Sequence, residues 1–102
     1  MIEIKTSSKE NRSVLAISGR LNISSVRELE SDFKNEIRKK PESIEINFAK
    51  TTYIDSSGIG SIIRCMNWAK KSQISFICSE PSKEVMSIFK IAKLDSYLNI
   101  IN

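Results

Sequence analysis

Hydrophobic positions along the chain follow two different periods. Residues 2–6 and residues 12–18 alternate apolar and polar, the second run through Val14, Leu15 and Ile17. Alternation is the mark of a half-buried strand, and Ser7-Ser8-Lys9-Glu10-Asn11 between the runs reads as a turn, so the two strands can pair antiparallel. Gly19-Arg20-Leu21-Asn22 leaves the second strand. The period then becomes helical. Val26, Leu29, Phe33 and Ile37 form one stripe of a helix from about Ser24 to Lys40, Ser25 and Glu28 have capping-box spacing, and Pro41 ends it. Ile44 to Phe48 alternates again, and residues 49–54 read as a loop. Apolar residues at 59, 62, 63, 66 and 69 predict a second helix, to about Lys71. Ile74 to Cys78 is a further strand. Pro81 suits the first position of a third helix, with Val85, Ile88, Phe89 and Ala92 inward, and Tyr97 to Ile101 can add an edge strand. From residue 44 strand and helix alternate, which argues for parallel pairing with right-handed crossovers. The expected fold class is α/β: one domain over residues 1–102, with a mixed central sheet of about five strands and three to four packed helices.

The start of the second helix stands out. The chain has three glycines, and two of them lie in Asp55-Ser56-Ser57-Gly58-Ile59-Gly60. Asp55, Ser56 and Ser57 can each accept a hydrogen bond from an unpaired N–H of the first helical turn. Gly58 and Gly60 leave the backbone bare, so another molecule can approach it closely. At about 100° per residue, Ile59, Ile62, Ile63, Met66 and Ala69 form the buried stripe. Ser57, Ser61, Arg64 and Trp68 fall in a narrow arc on the other side, which this reading gives to solvent. Trp68 then either folds over a neighbouring loop or, with Arg64 one turn away, anchors an interface.

Composition narrows the chemistry. At 102 residues and 11.6 kDa the chain can bury a single core without staples, and 40% hydrophobic with 27% charged residues fits a soluble globular protein. It contains no apolar run of about 18 residues, hence no expected membrane span. The N-terminus, Met1-Ile2-Glu3-Ile4-Lys5, alternates and is no signal peptide. Cys65 and Cys78 have no metal or redox spacing and read as reduced thiols of a cytoplasmic protein. The net charge is +4, with clusters at Arg38-Lys39-Lys40 and Lys70-Lys71. Both clusters fall at helix C-termini, where cations favour the dipole; without interleaved aromatic residues they do not point to nucleic acid.

Catalysis finds little support. A serine nucleophile needs a base, yet the chain has no His, no Gly-x-Ser-x-Gly elbow and no Ser-x-x-Lys pairing at the motif. Ile63 stands where a dinucleotide fingerprint needs its third glycine, and the P-loop lysine is missing. A serine exposed at a helix N-terminus remains. Free N–H groups and the dipole suit a phosphate there, and phosphorylation would change the surface without unfolding the helix. The alternative is that Ser56 and Ser57 are simply caps.

The hexapeptide Asp55 to Gly60 resembles the Asp-Ser-Ser/Thr-Gly-Leu-Gly signature of bacterial anti-sigma factor antagonists, the single-domain STAS proteins. Gly19-Arg20-Leu21-Asn22 resembles their Gly-x-Leu-Asp turn, residues 47–54 their strand before the Asp, and Pro81 to Leu94 their last helix. The resemblance implies a non-enzymatic, cytoplasmic phosphoprotein that regulates transcription by partner switching. The unphosphorylated antagonist binds an anti-sigma factor that is also a serine kinase, and so frees a sigma factor. The kinase uses its own ATP and Mg²⁺ to phosphorylate the first serine after the Asp, here Ser56, and the complex dissociates. A PP2C-type phosphatase, usually manganese- or magnesium-dependent, resets the switch. Asp55 is given an orienting role. The expected docking surface is Asn22, Asp55, Ser57, Gly58, Ile59, Gly60, Ser61, Arg64 and Trp68. No metal or cofactor of its own is implied, nor a nucleic acid or membrane partner, and the free protein is expected to be a monomer. Asn22 departs from the usual Asp, and Lys93 from a helix-ending Gly, so that helix should close without the easy left-handed residue. Two other roles stay open: a small-molecule or nucleotide-sensing STAS domain, and a STAS regulator of a non-sigma target. A lipid-transport subunit is disfavoured by the retained Ser56.

Overall fold

The computed structural model describes residues 2–102; Met1, the first residue of the alternating N-terminal run, lies outside them. The elements are β1 (Ile2–Lys9), β2 (Arg12–Leu21), α1 (Val26–Arg38), β3 (Ser43–Ile54), α2 (Ser56–Lys71), β4 (Ser75–Ser79), α3 (Lys83–Ile91) and β5 (Ile100–Ile101). They form one five-stranded sheet in the order β1-β2-β3-β4-β5. β1 and β2 are antiparallel, and every later neighbour is parallel. The predicted α/β class and mixed sheet are therefore observed.

One apolar core spans the helices and one face of the sheet. In β3 it takes Ile44, Ile46 and Phe48, while Glu45 and Asn47 point to the other face, as a two-residue period requires. Phe33 of α1 meets Phe76 edge-on at 5.7 Å, and Phe89 of α3 meets Phe48 at 5.5 Å. Ile44 pairs with Phe76, so both aromatic contacts lie on the same face of the sheet, and α1 and α3 share it. The opposite face carries a polar cluster beside Val14 and buried Ile77: Glu45 accepts from Arg12 at 3.2 Å and from the Ser79 hydroxyl at 2.5 Å.

Several boundaries differ from the sequence reading, each for a physical reason. β1 and β2 run to a two-residue turn at Glu10-Asn11, and Glu10 takes a left-handed φ of 58°. Gly19-Arg20-Leu21 stays inside β2 rather than leaving it. The register shifts there, and Gly19, at φ 106°, supplies backbone that a side chain disfavours. Residues 49–54 are strand, not loop. Pairing with Ser18 to Leu21 holds them in the sheet, while the register shifts scramble their alternation. Ser25 does not close a capping box on α1. Its Oγ donates to the Arg20 carbonyl at 2.7 Å and accepts from Asn22 N–H at 3.0 Å, so it ties the β2–α1 loop instead. Pro41 follows a helix that has already ended at Arg38.

Pro81 is not the first residue of α3. Ser82 is the cap, accepting from Val85 N–H at 3.2 Å. Val85 and Phe89 are buried, Ile88 is half-buried, and Ala92 is exposed beyond the helix. Only Ile100 and Ile101 form the last strand, and Tyr97 sits exposed in the preceding turn. Lys93 does adopt the left-handed conformation, at φ 60°, and Leu94 N–H then reaches the Phe89 carbonyl at 2.8 Å. The C-terminus of α3 thus closes as a glycine would close it, with a lysine in the strained position.

Candidate functional site

The site is built where the C-terminal ends of β2 and β3 meet the start of α2. Asp55 is the residue that organises it. Its backbone is extended (φ −103°, ψ −172°), its Oδ1 accepts from Gly58 N–H at 2.9 Å, and its carbonyl accepts from Ile59 N–H at 3.0 Å. Its own N–H donates to the Leu21 carbonyl at 3.3 Å, which pins α2 to the end of β2. Asp55 is therefore the N-cap. Neither serine caps the helix: Ser56 is its first residue and is exposed, and Ser57 is half-buried. With Gly58 and Ile59 satisfied by Asp55, the N–H groups of Ser56 and Ser57 are left at the positive end of the helix.

The two glycines of the motif do different things. A Cβ at Gly58 would lie 2.6 Å from the Leu21 carbonyl oxygen and 2.8 Å from Ile54 Cγ2. Gly58 is buried and lets α2 close against β2 and β3, so its backbone is not bare to solvent as the sequence reading expected. At Gly60 an added Cβ would meet only Arg64 Nη1, at 3.7 Å, so this glycine leaves open space.

The arc of Ser57, Ser61, Arg64 and Trp68 also needs correction. Ser61, Arg64 and Trp68 lie against α1, although the Arg64 side chain stays half exposed. Arg64 donates twice to Glu30 Oε2, at 3.1 and 2.7 Å, and Trp68 lies under the Lys34 ammonium at 4.4 Å from its ring centre. Ser61 is fully buried and its hydroxyl has no hydrogen-bond partner among the described residues. The observed buried line of α2 is Gly58, Ser61, Ile62, Cys65 and Ala69, with Ile59, Ile63 and Met66 half-buried beside it. That line has good helical spacing too. Apart from Ile62, which the expected stripe already held, its residues are small, so a search for large apolar side chains passes over Gly58, Ser61 and Cys65, yet small residues are what allow close approach of neighbouring elements.

Asn22 stands beside the cap and shapes the β2–α1 loop, its Oδ1 accepting from Ser24 N–H at 2.9 Å. The structure thus brings Asn22, Asp55, Ser56, Ser57, Ile59 and Gly60 to one end of α2. Arg64 and Trp68 are carried away along it, Trp68 by roughly 18 Å from Ser56 at 1.5 Å per residue. Two residues at this end escaped the sequence reading. Ile23 is 72% exposed in the Asn22–Ser24 turn, and Tyr53 is 39% exposed with the Arg20 guanidinium 4.3 Å above its ring. A lone isoleucine in a turn and a tyrosine beside a bulge belong to no period, so only their position marks them.

The charges around α2 follow from burial and pairing. Desolvation is the largest single influence and pushes the Glu30 carboxyl upward, but the Arg64 hydrogen bonds and charge, with Ser61 and Lys34, together outweigh it and hold Glu30 below the usual carboxylate range. The Ser61 hydroxyl contributes to this lowering without meeting the geometry of a hydrogen bond. Burial raises both thiols, Cys65 most strongly and with the help of the Glu30 charge, and Cys78 to about 12. Both are free and buried, and neither is a thiolate near neutral pH. Among the described residues no group of three or more His, Cys, Asp or Glu side chains could hold a metal ion, and no helix is long and apolar enough to cross a membrane.

Comparison with known proteins agrees with this geometry. The model of the STAS domain family matches residues 3–102. The chain belongs to the STAS family. Among solved STAS-like structures, an anti-sigma factor antagonist from Mycobacterium paratuberculosis superposes with a TM-score of 0.90 at 15% identity, over 99% of this chain and 86% of that one. The anti-sigma factor antagonist SpoIIAA of Bacillus, unphosphorylated, gives 0.80 at 19% identity, over 100% and 89%. A sulfate transporter family protein from Wolinella succinogenes gives 0.82 at 12% identity, over 93% and 80%. At such identities the likeness establishes the fold. The same STAS fold carries more than one role, so the role here must be argued from its site.

Proposed function

We propose that this STAS domain is an anti-sigma factor antagonist whose partner binding is switched by phosphorylation of Ser56. The observation that supports this reading most is the division of labour at the start of α2. Asp55 takes the capping role, and the Ser56 hydroxyl is left exposed and free of structural duty. A serine needed as a cap would be a poor switch, because modifying it would cost the helix its start.

In the unphosphorylated form the docking surface is the end of the domain bearing Asn22, Asp55, Ser57, Ile59 and Gly60, extended by exposed Ile23 and Tyr53. Its partner is an anti-sigma factor with serine kinase activity, and that partner supplies ATP, Mg²⁺ and the catalytic base. Phosphate on Ser56 adds a charge of about −1.5 to −2 beside those apolar side chains. The N–H groups of Ser56 and Ser57 and the helix dipole tolerate it, so α2 stays folded while the partner meets a bulky dianion. A PP2C-type phosphatase restores the binding form.

Incubation with the cognate kinase and ATP, followed by peptide mapping, tests the assignment. Phosphate is expected on Ser56. Phosphate on Ser57 with Ser56 unmodified would overturn it.

A further inference from the structure

The far end of α2 carries a feature that the serine surface does not use. The C-terminal halves of α1 and α2 flank a groove of about 340 Å³, lined by Lys34, Ile37, Arg38, Trp68, Lys71 and Ser72. Its apolar part is Ile37 and Trp68, both half-buried against the core. Its charges are all positive. Among the described residues none of Lys34, Arg38 and Lys71 has a carboxylate within 4.0 Å. The nearby acids are already engaged: Glu36 is buried and holds Lys39 at 3.0 Å, and Glu30 holds Arg64. Arg38 donates only to the neutral Asn35, at 2.8 Å. Arg38 and Lys71 lie in last turns, where the helix dipoles favour them, and the Lys34 ammonium lies over the Trp68 ring.

We propose that this groove docks an acidic peptide segment of a partner protein. The segment places an aliphatic side chain against Ile37, beside Trp68, and flanking carboxylates near Lys34, Arg38 and Lys71. Charge complementarity selects an anion, and shape selects the peptide. A membrane surface favours apolar side chains that protrude, whereas Trp68 and Ile37 are recessed between two helices. A nucleotide base would need the Trp68 face, which the Lys34 ammonium covers at 4.4 Å. An extended chain needs neither: it lies between the cations and leaves that contact in place. The groove is separate from the Ser56 surface, so the domain can hold two partner segments at once.

Trp68 is the only tryptophan, so its fluorescence reports on the groove directly. The probe is a synthetic Asp/Glu-rich peptide with one central leucine, compared with MgATP and with phosphatidylglycerol/phosphatidylcholine vesicles. The peptide is expected to give a saturable shift that weakens as salt rises. Amide NMR shifts should cluster in the C-terminal halves of α1 and α2 and spare Asp55 to Gly60. The double variant Arg38→Glu/Lys71→Glu should lose about tenfold or more in affinity with an unchanged melting transition, and Lys71→Arg should retain it. Absence of saturable peptide binding, equal affinity in the double variant, shifts centred on Ser56, or a response confined to ATP or to vesicles would each overturn the proposal.

Discussion

The two ends of α2 are built on opposite principles. At the N-terminus the cap residue and the glycine behind it are fixed by defined partners. Asp55 links to Leu21, Gly58 and Ile59, and Gly58 has no room for even one more carbon. The exposed Ser56 is the exception, free because its neighbours are not. At the C-terminus the helix closes through Gln73 at φ 59°, with Ile74 N–H reaching the Ala69 carbonyl at 2.9 Å. A residue with a Cβ sits in a left-handed position there, beside lysines without carboxylate partners. The first end holds one exposed hydroxyl beside a fully engaged cap. The second accommodates a strained backbone position. A phosphorylation switch needs the first kind of end, because charge added to a loosely held helix start would be absorbed by local rearrangement.

The comparison can be broken most sharply at Gly58. Gly58→Val should destabilise the domain by at least ~3 kcal/mol, because the new side chain collides with the Leu21 carbonyl and Ile54 rather than with solvent. Gly60→Ala should instead be neutral or stabilising by up to ~1 kcal/mol, as expected for glycine replaced inside a helix with space around it. Urea melts of both decide the matter; a Gly58→Val protein as stable as wild type would refute the packing role.

The next largest effect is on binding. Ser56→Asp should weaken anti-sigma factor binding by more than tenfold while stability holds or rises by ~0.3–1 kcal/mol, the effect of an acid in the first helical turn. Ser56→Ala should bind without losing cap energy, since Asp55 is the cap. Titration calorimetry with parallel melts separates local charge from helix melting: a Ser56→Asp variant that loses stability together with affinity would favour melting.

Asp55→Ala should cost about 1 kcal/mol through the lost Gly58 bond. It should also slow phosphorylation of Ser56, measurable as phosphate incorporated per unit time. At the other end Gln73→Gly should stabilise by ~0.5–1 kcal/mol by relieving the left-handed position. A lower melting temperature would show that Gln73 carries a contact worth more than its strain.

The smallest effect concerns pH. Glu30 has its carboxyl pKa depressed in the folded state by Arg64. Its contribution is therefore present above the unfolded carboxylate pKa and is lost as pH falls through the lower folded value. Arg64→Ala should remove that acid-side slope and cost less than ~1 kcal/mol at neutral pH, because Arg64 is half exposed. Equal acid-side slopes in the two proteins would mean that the pair contributes nothing.

Much of this architecture was legible from local pattern. Alternation in residues 2–6 and 12–18 requires a strand pair, and the short turn between them requires that it be antiparallel. The helical stripe of Val26, Leu29 and Phe33 is buried where its spacing put it. The hexapeptide Asp55 to Gly60 marked the start of α2 because capping is a local interaction between residues three apart. What only the tertiary structure decided was which flank of α2 meets another element. The helical period sorts residues into faces but carries no information about neighbours, and Arg64 finds Glu30 34 residues away. Ser61 is buried and Trp68 lies against Lys34 because α1 packs there. Residues 49–54 are strand because β2 pairs with them, although their own alternation is broken. Gly58 is required by Leu21, far from it in sequence. Each of these outcomes depends on contacts between distant segments, and burial is a property of the neighbours as much as of the residue itself.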